Sequence, residues 1–125
     1  MTPLRYVPEL HYEQVRAWMQ ARGDEMPPDL LPPTGFFVPG KAACFMYRTD
    51  SSMVLVEGLV AAPGLEREER SQALDAVILA CCEEAKRLGY KLAMAYTELD
   101  SVVKRVERMG WTHAGSNNHL IVLPL

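Results

Sequence analysis

At 125 residues and 14.0 kDa, the chain has the length of one domain that can bury its own hydrophobic core, so residues 1–125 read as a single domain. Apolar residues make up 49% and charged residues 23%, which excludes a disordered chain. A net charge of −3 and a pI near 5.6 exclude a chain-wide electrostatic footprint for nucleic acid or an anionic membrane, and neither is expected as a partner.

In chain order, Leu4 to Val7 suits a short strand, and Pro8 opens a helix that runs to about Arg22 and stops at Gly23. Leu10, Val15, Trp18 and Met19 share one approximate face of it. Residues 26–33 carry four prolines and form a loop in which no regular helix persists. Gly35 to Val38, Ala42 to Arg48 and Met53 to Ala62 read as a three-strand meander joined by Pro39-Gly40 and Asp50-Ser51-Ser52. Leu74, Val77, Ile78, Cys81, Ala85 and Leu88 recur at spacings of three and four, predicting a helix from about Ser71 to Leu88 that Gly89 ends. Lys91 to Thr97 reads as a strand, Asp100 to Met109 as a helix with Val102, Val103, Val106 and Met109 inward, and Trp111–Ala114 with His119–Leu123 as a terminal hairpin.

Three local marks lie on this framework: Val60-Ala61-Ala62-Pro63 at the end of the third meander strand, Ala73-Leu74 in the long helix, and Arg108-Met109-Gly110-Trp111 after the last helix. With the order of elements, they make nearly the whole chain resemble the GNAT superfamily of acyl-CoA N-acyltransferases. The fold implied is α/β, with a mixed, mostly antiparallel central sheet flanked by helices and a C-terminal β-hairpin; residues 26–33 stand where the family usually carries a second helix walling the acceptor site.

The resemblance also implies where a site would lie. In working members the loop after this strand resembles Arg/Gln-x-x-Gly-x-Gly/Ala, and its backbone N–H groups cradle the cofactor pyrophosphate. That places acetyl-CoA or another acyl-CoA, if one binds, against Ala61, Ala62 and Ser71. Here Glu66 stands at the Arg/Gln position, Glu69 at the first Gly and Ser71 at the second Gly/Ala, so side chains and a net negative charge occupy the place where backbone would meet phosphate. A one-residue slip would instead offer Arg67 and Arg70 to the phosphates, although acids in a first helical turn also have a plain role against the helix dipole. The family tyrosine that protonates the leaving thiolate is replaced by Val106, and Ser101 is a poor substitute.

Glu57 fits the family's general base on the preceding strand; alternatively it faces an open sheet side or pairs with Arg48. Gly58 beside it fits the bulge that splays two strands apart in this fold. Cys44, Cys81 and Cys82 read as small core residues, and His11, His113 and His119 lack the spacing of metal ligands. Lys104, Arg105 and Arg108 form either a solvated helix face or a small binding patch. Leu30 and Leu31 either pack on the sheet or dock on another chain, which suits a stiff extended segment.

Three readings follow: a GNAT-fold protein with a degraded acyl-CoA site that acts through protein contacts with an assembly partner or in a homo-oligomer, an active N-acyltransferase with Glu57 as base, and a small-molecule binding module. The segment from Ser101 to Trp111 resembles short GNAT-like proteins of tailed bacteriophages, which implies a virion or host-directed component. The first residues lack the pattern of a signal peptide, so the expected location is cytoplasmic, or a virion if the chain is phage-encoded.

Overall fold

A computed structural model describes residues 1–25 and 27–125; Met26, the first residue of the proline-rich segment, lies outside the described residues. The elements are β1 (Leu4–Arg5), α1 (Pro8–Ala21), β2 (Gly35–Val38), β3 (Ala42–Tyr47), β4 (Met53–Ala61), α2 (Arg67–Arg87), β5 (Leu92–Met94) and α3 (Asp100–Arg108). They build a mixed five-stranded sheet in the order β1-β2-β3-β4-β5, antiparallel throughout except for the parallel pair β4 and β5.

Side chains alternate across the sheet, so each face collects its own core. Phe36, Val38, Cys44, Met46, Val54 and Val56 pack under Leu74, Val77, Ile78 and Cys81 of α2. Phe37, Ala43, Phe45 and Val60 pack on the other face with Val15, Trp18 and Met19 of α1. Coverage on both faces explains why β2 and β3 are nearly continuous runs of buried residues. Leu31 belongs to the α1 side of this core.

Two departures from the expected elements have local causes. Helix α2 starts four residues before Ser71, at Arg67, with Glu66 as its cap residue. Arg67 to Arg70 are exposed or half-buried and carry no apolar period, but Glu and Arg are good helix formers and acids suit a first turn. In α1, Leu10 is exposed rather than inward, because Val15, Trp18 and Met19 define the buried stripe.

The expected terminal hairpin does not form: residues 111–125 contain no strand. Gly110, at φ 97°, lets the Trp111 N–H return to the Val106 carbonyl at 3.0 Å, and Trp111 packs against the α2-side core. Beyond it, Leu120 to Leu123 is apolar on both of its faces, so no single buried face selects a pairing register.

One polar cluster ties α2 to the sheet and a second ties α3 to α2. Glu84 of α2, nearly inaccessible to solvent, accepts hydrogen bonds from Arg5 of β1 at 2.6 and 3.2 Å and from Arg87 at 2.6 and 2.9 Å. The guanidiniums of Arg87 and then Arg5 hold its carboxyl well below the usual carboxylate range. The two arginines themselves are largely exposed, so the carboxylate is covered by its partners at the rim rather than sunk in the apolar core. On α3, which buries no residue completely, Arg105 donates to the Ser71 carbonyl and hydroxyl at 3.1 and 3.0 Å and to Asp75 at 2.7 Å. The basic face expected around Lys104, Arg105 and Arg108 is therefore divided, with Arg105 used to dock α3 on α2.

Candidate functional site

Strands β4 and β5 are in register only where Met53, Val54 and Leu55 face Leu92, Ala93 and Met94. Strand β4 continues to Ala61 while β5 ends, so the two part beyond Leu55. The opening coincides with a bulge. Between the pairs Phe45↔Glu57 and Ala43↔Val60, β4 has one residue more than β3, and Gly58 adopts φ 71° there. Glycine is required at this place: a Cβ on Gly58 would stand 2.9 Å from the Phe45 ring.

Glu57 sits in this opening, half-buried, and its Oε1 accepts the Tyr96 backbone N–H at 2.6 Å. Burial pushes its carboxyl up from the ordinary value, and the Tyr96 hydrogen bond offsets part of that. The expected pairing with Arg48 is absent, because the Arg48 guanidinium reaches the Tyr90 hydroxyl at 3.4 Å. Burial raises the pKa of Tyr47, with the nearby Glu57 charge adding to it, and its hydroxyl donates to the Leu30 carbonyl at 3.3 Å. Arg22, at the end of α1, donates to the Leu59 carbonyl at 2.6 Å and pairs with Asp24 at 2.6 Å. Tyr96 thus meets Glu57 in the opening, while Tyr47 and Arg22 approach β4 at Glu57 and Leu59, and none of the three stood out in the sequence. One signal was available for Tyr96: it follows the carboxyl end of a strand in a parallel pair, where α/β sheets gather their ligands.

The junction of β4 and α2 gathers Ala61, Ala62, Arg67, Arg70 and Ser71, with the helix beginning four residues before Ser71. Ser71 is the fifth residue of α2, so its N–H belongs to the helix ladder and its hydroxyl is held by Arg105. Ala62 donates its N–H to the Lys41 carbonyl at 2.8 Å and is buried. Neither presents backbone to a ligand. The N–H groups left over at a helix start are those of the first turn, Arg67 to Glu69, and Glu66 provides no side-chain cap. Glu69 pairs with Lys41 at 3.6 Å, while Glu66, Arg67, Glu68 and Arg70 are exposed. The glycine of this loop is Gly64, two residues before the cap residue, at φ 79° with open space where a Cβ would stand.

Leu30 and Leu31 separate: Leu30 is exposed, whereas Leu31 is buried in the chain's own core and cannot be a docking residue in this state. Cys44 and Cys81 are buried and Cys82 is half-buried. The hydrogen bond from Cys44, followed by burial, pushes the Cys81 thiol up, and burial does the same for Cys82, so neither is poised as a nucleophile.

A mixed sheet with a bulged β4, a parting of parallel neighbours β4 and β5, and helices on both faces defines a GNAT-like fold. Solved structures of similar shape are described as acetyltransferases. A putative acetyltransferase from Agrobacterium tumefaciens str. C58 superposes with a TM-score of 0.72 at 11% identity, over 98% of this chain and 100% of that one. A probable acetyltransferase gives 0.65 at 13% identity over 100% of both chains. An aminoglycoside acetyltransferase, meta-AAC0020, from an uncultured soil metagenomic sample, solved in complex with sisomicin, gives 0.66 at 10% identity over 99% of this chain and 95% of that one. No family model and no curated protein sequence matches the chain.

Proposed function

We propose that this chain uses the GNAT fold with a weakened acyl-CoA site and acts through protein contacts, with little or no acyl transfer. One observation carries the reading: the cap residue and first turn of α2 carry three carboxylates, Glu66, Glu68 and Glu69, and with Glu69 read at the family's first glycine they put side chains and negative charge where a pyrophosphate would approach the helix start. The replacement of the family tyrosine by Val106, which packs toward the α2-side core, supports it further. The likeness of Ser101 to Trp111 to short proteins of tailed bacteriophages favours a virion or host-directed setting.

Glu57 favours a second reading, an N-acyltransferase acting on an amine. A half-buried carboxylate with a raised pKa, anchored through one oxygen by the Tyr96 N–H at the mouth of the β4/β5 opening, is suited to take a proton from an attacking amine. Gly64 and exposed Arg67 and Arg70 would then hold acyl-CoA in an altered way. Acetyl-CoA titrated by calorimetry and thermal shift separates the two. Saturating binding at 100 times the dissociation constant stabilises a fold by about 2.7 kcal/mol. The first reading expects no saturable shift at millimolar cofactor, whereas a saturable shift together with amine acylation abolished by Glu57→Gln would establish the second.

A further inference from the structure

Val7 is the cap residue of α1, with an extended backbone at φ −124° and ψ 110°, and its apolar side chain cannot accept a hydrogen bond. Its carbonyl accepts the Leu10 and His11 N–H groups at 3.0 and 2.9 Å, and its own N–H donates to His11 Nδ1 at 3.0 Å. The imidazole one turn on therefore closes the cap that valine leaves open, by the reciprocal contact that Glu or Gln makes in a capping box. The ring is held for this contact. It stacks on Phe37 of β2 at 4.2 Å and 14°, with Tyr6 6.0 Å away, and Phe37 stacks in turn on Trp18.

An Nδ1 that accepts carries no proton, so this geometry assigns the neutral ring with its hydrogen on Nε2. Protonation would turn Nδ1 into a donor facing the Val7 donor. It would also set a positive charge near the start of a helix, where the dipole opposes it. The surrounding ionisable groups do little to offset this. Strand β2 presents Phe37 and has no ionisable residue. Burial, with Tyr12 and Glu9 adding to it, pushes the Tyr6 hydroxyl up to about 12 and keeps it neutral. Glu9 is exposed and forms no ion pair among the described residues, so water screens its charge. Arg5 of β1 lies on the opposite face, over Phe36 and held by Glu84.

We propose that His11 makes the joint between β1 and α1 a pH-operated latch, closed by the Val7 N–H while the ring is neutral and released when the ring gains a proton. Release frees the cap and first turn alone, because Val15, Trp18 and Met19 still hold the rest of α1 on the sheet. The inference is independent of whether the fold transfers an acyl group.

Nitrogen NMR of the full chain, combined with amide hydrogen exchange, tests it. At about pH 7.5 the His11 ring should be the Nε2–H tautomer. Between about pH 7.5 and about pH 5.5 the protection of the Val7 amide, corrected for its intrinsic rate, should fall about tenfold while that of Val15 holds; one proton taken up by a free imidazole of ordinary value near 6.5 gives that factor. His11→Asn offers an acceptor without a titrating proton, so Val7 should stay protected across the range. His11→Phe keeps the stack on Phe37 but has no acceptor, so Val7 should be poorly protected at both ends. The proposal is overturned by an Nδ1–H tautomer at the higher pH, by a Val7 change under about threefold, or by an equal loss at Val15, which would be acid unfolding of the whole helix. Wild-type protection of Val7 in His11→Phe, or an unchanged pH response in His11→Asn, overturns it equally.

Discussion

Exchanging Glu66→Arg and Glu69→Gly together should create or strengthen affinity for CoA. The first change puts a guanidinium at the cap residue of α2, and a cationic side chain hydrogen-bonded to phosphate is commonly worth about 1.5–3 kcal/mol. The second clears a side chain from the third residue of the helix, whose N–H is unspent, and releases the Lys41 ammonium that Glu69 holds at 3.6 Å. Against this stand the loss of roughly 0.3–1 kcal/mol of dipole stabilisation per acid and of an exposed ion pair worth about 0–1 kcal/mol. A glycine within the helix costs up to about 1 kcal/mol more. Those losses fall on stability, and the phosphate contacts fall on binding, so affinity should rise by about tenfold or more while the melting temperature drops by roughly 2–20 °C. Calorimetry with CoA on the parent and the double variant, with circular dichroism as the folding control, reads both. A folded variant that binds CoA no better than the parent would show that the start of α2 is not where this fold meets a pyrophosphate.

Three further outcomes are expected. Because burial raises the Glu57 pKa, the wild type loses stability as pH rises from the unfolded value near 4.3 through the folded one; Glu57→Gln should therefore gain in melting temperature relative to wild type from pH 4 to 8, and a constant difference would refute the assignment. The Glu84 pKa is depressed, so its contribution is present above about pH 4.3 and is lost as pH falls; Glu84→Gln should flatten the acid side of the stability profile, and an unaltered slope below pH 5 would show that the Arg5 and Arg87 contacts do not persist in solution. Gly35→Ala should destabilise by about 1–3 kcal/mol or more in urea denaturation, since its Cβ would stand 2.7 Å from the Cys44 carbonyl oxygen and 2.6 Å from the Phe45 ring; a midpoint within error of wild type would mean that β2 and β3 can separate at no cost.

Local chemistry was enough to place most elements. The 3.6-residue recurrence of Leu74, Val77, Ile78 and Cys81, the prolines of residues 27–33 and the glycines at 23, 40 and 89 each act within a few neighbouring residues, and the helices and meander fall where those signals put them. Gly58 was legible as a bulge because only a residue free to take positive φ tolerates that place, and Glu57 was legible as a carboxylate whose apolar strand would raise its pKa. Tertiary structure decided the rest. The partner of Glu57 is the N–H of Tyr96, 39 residues away, and Glu84 is held by Arg5, 79 residues away; a hydrogen bond across such distances depends on how the sheet closes, which no local spacing encodes. The start of α2 was set by side chains with helix propensity but no apolar period, so the helix begins four residues earlier than its apolar recurrence and takes in the Ser71 N–H. Leu30 and Leu31 are adjacent and chemically identical, yet one is buried and one exposed, because burial depends on which side of the chain meets the α1 face of the sheet. For Leu120 to Leu123, a run apolar on both faces suits a strand but selects no register, and in the structure it stays unpaired.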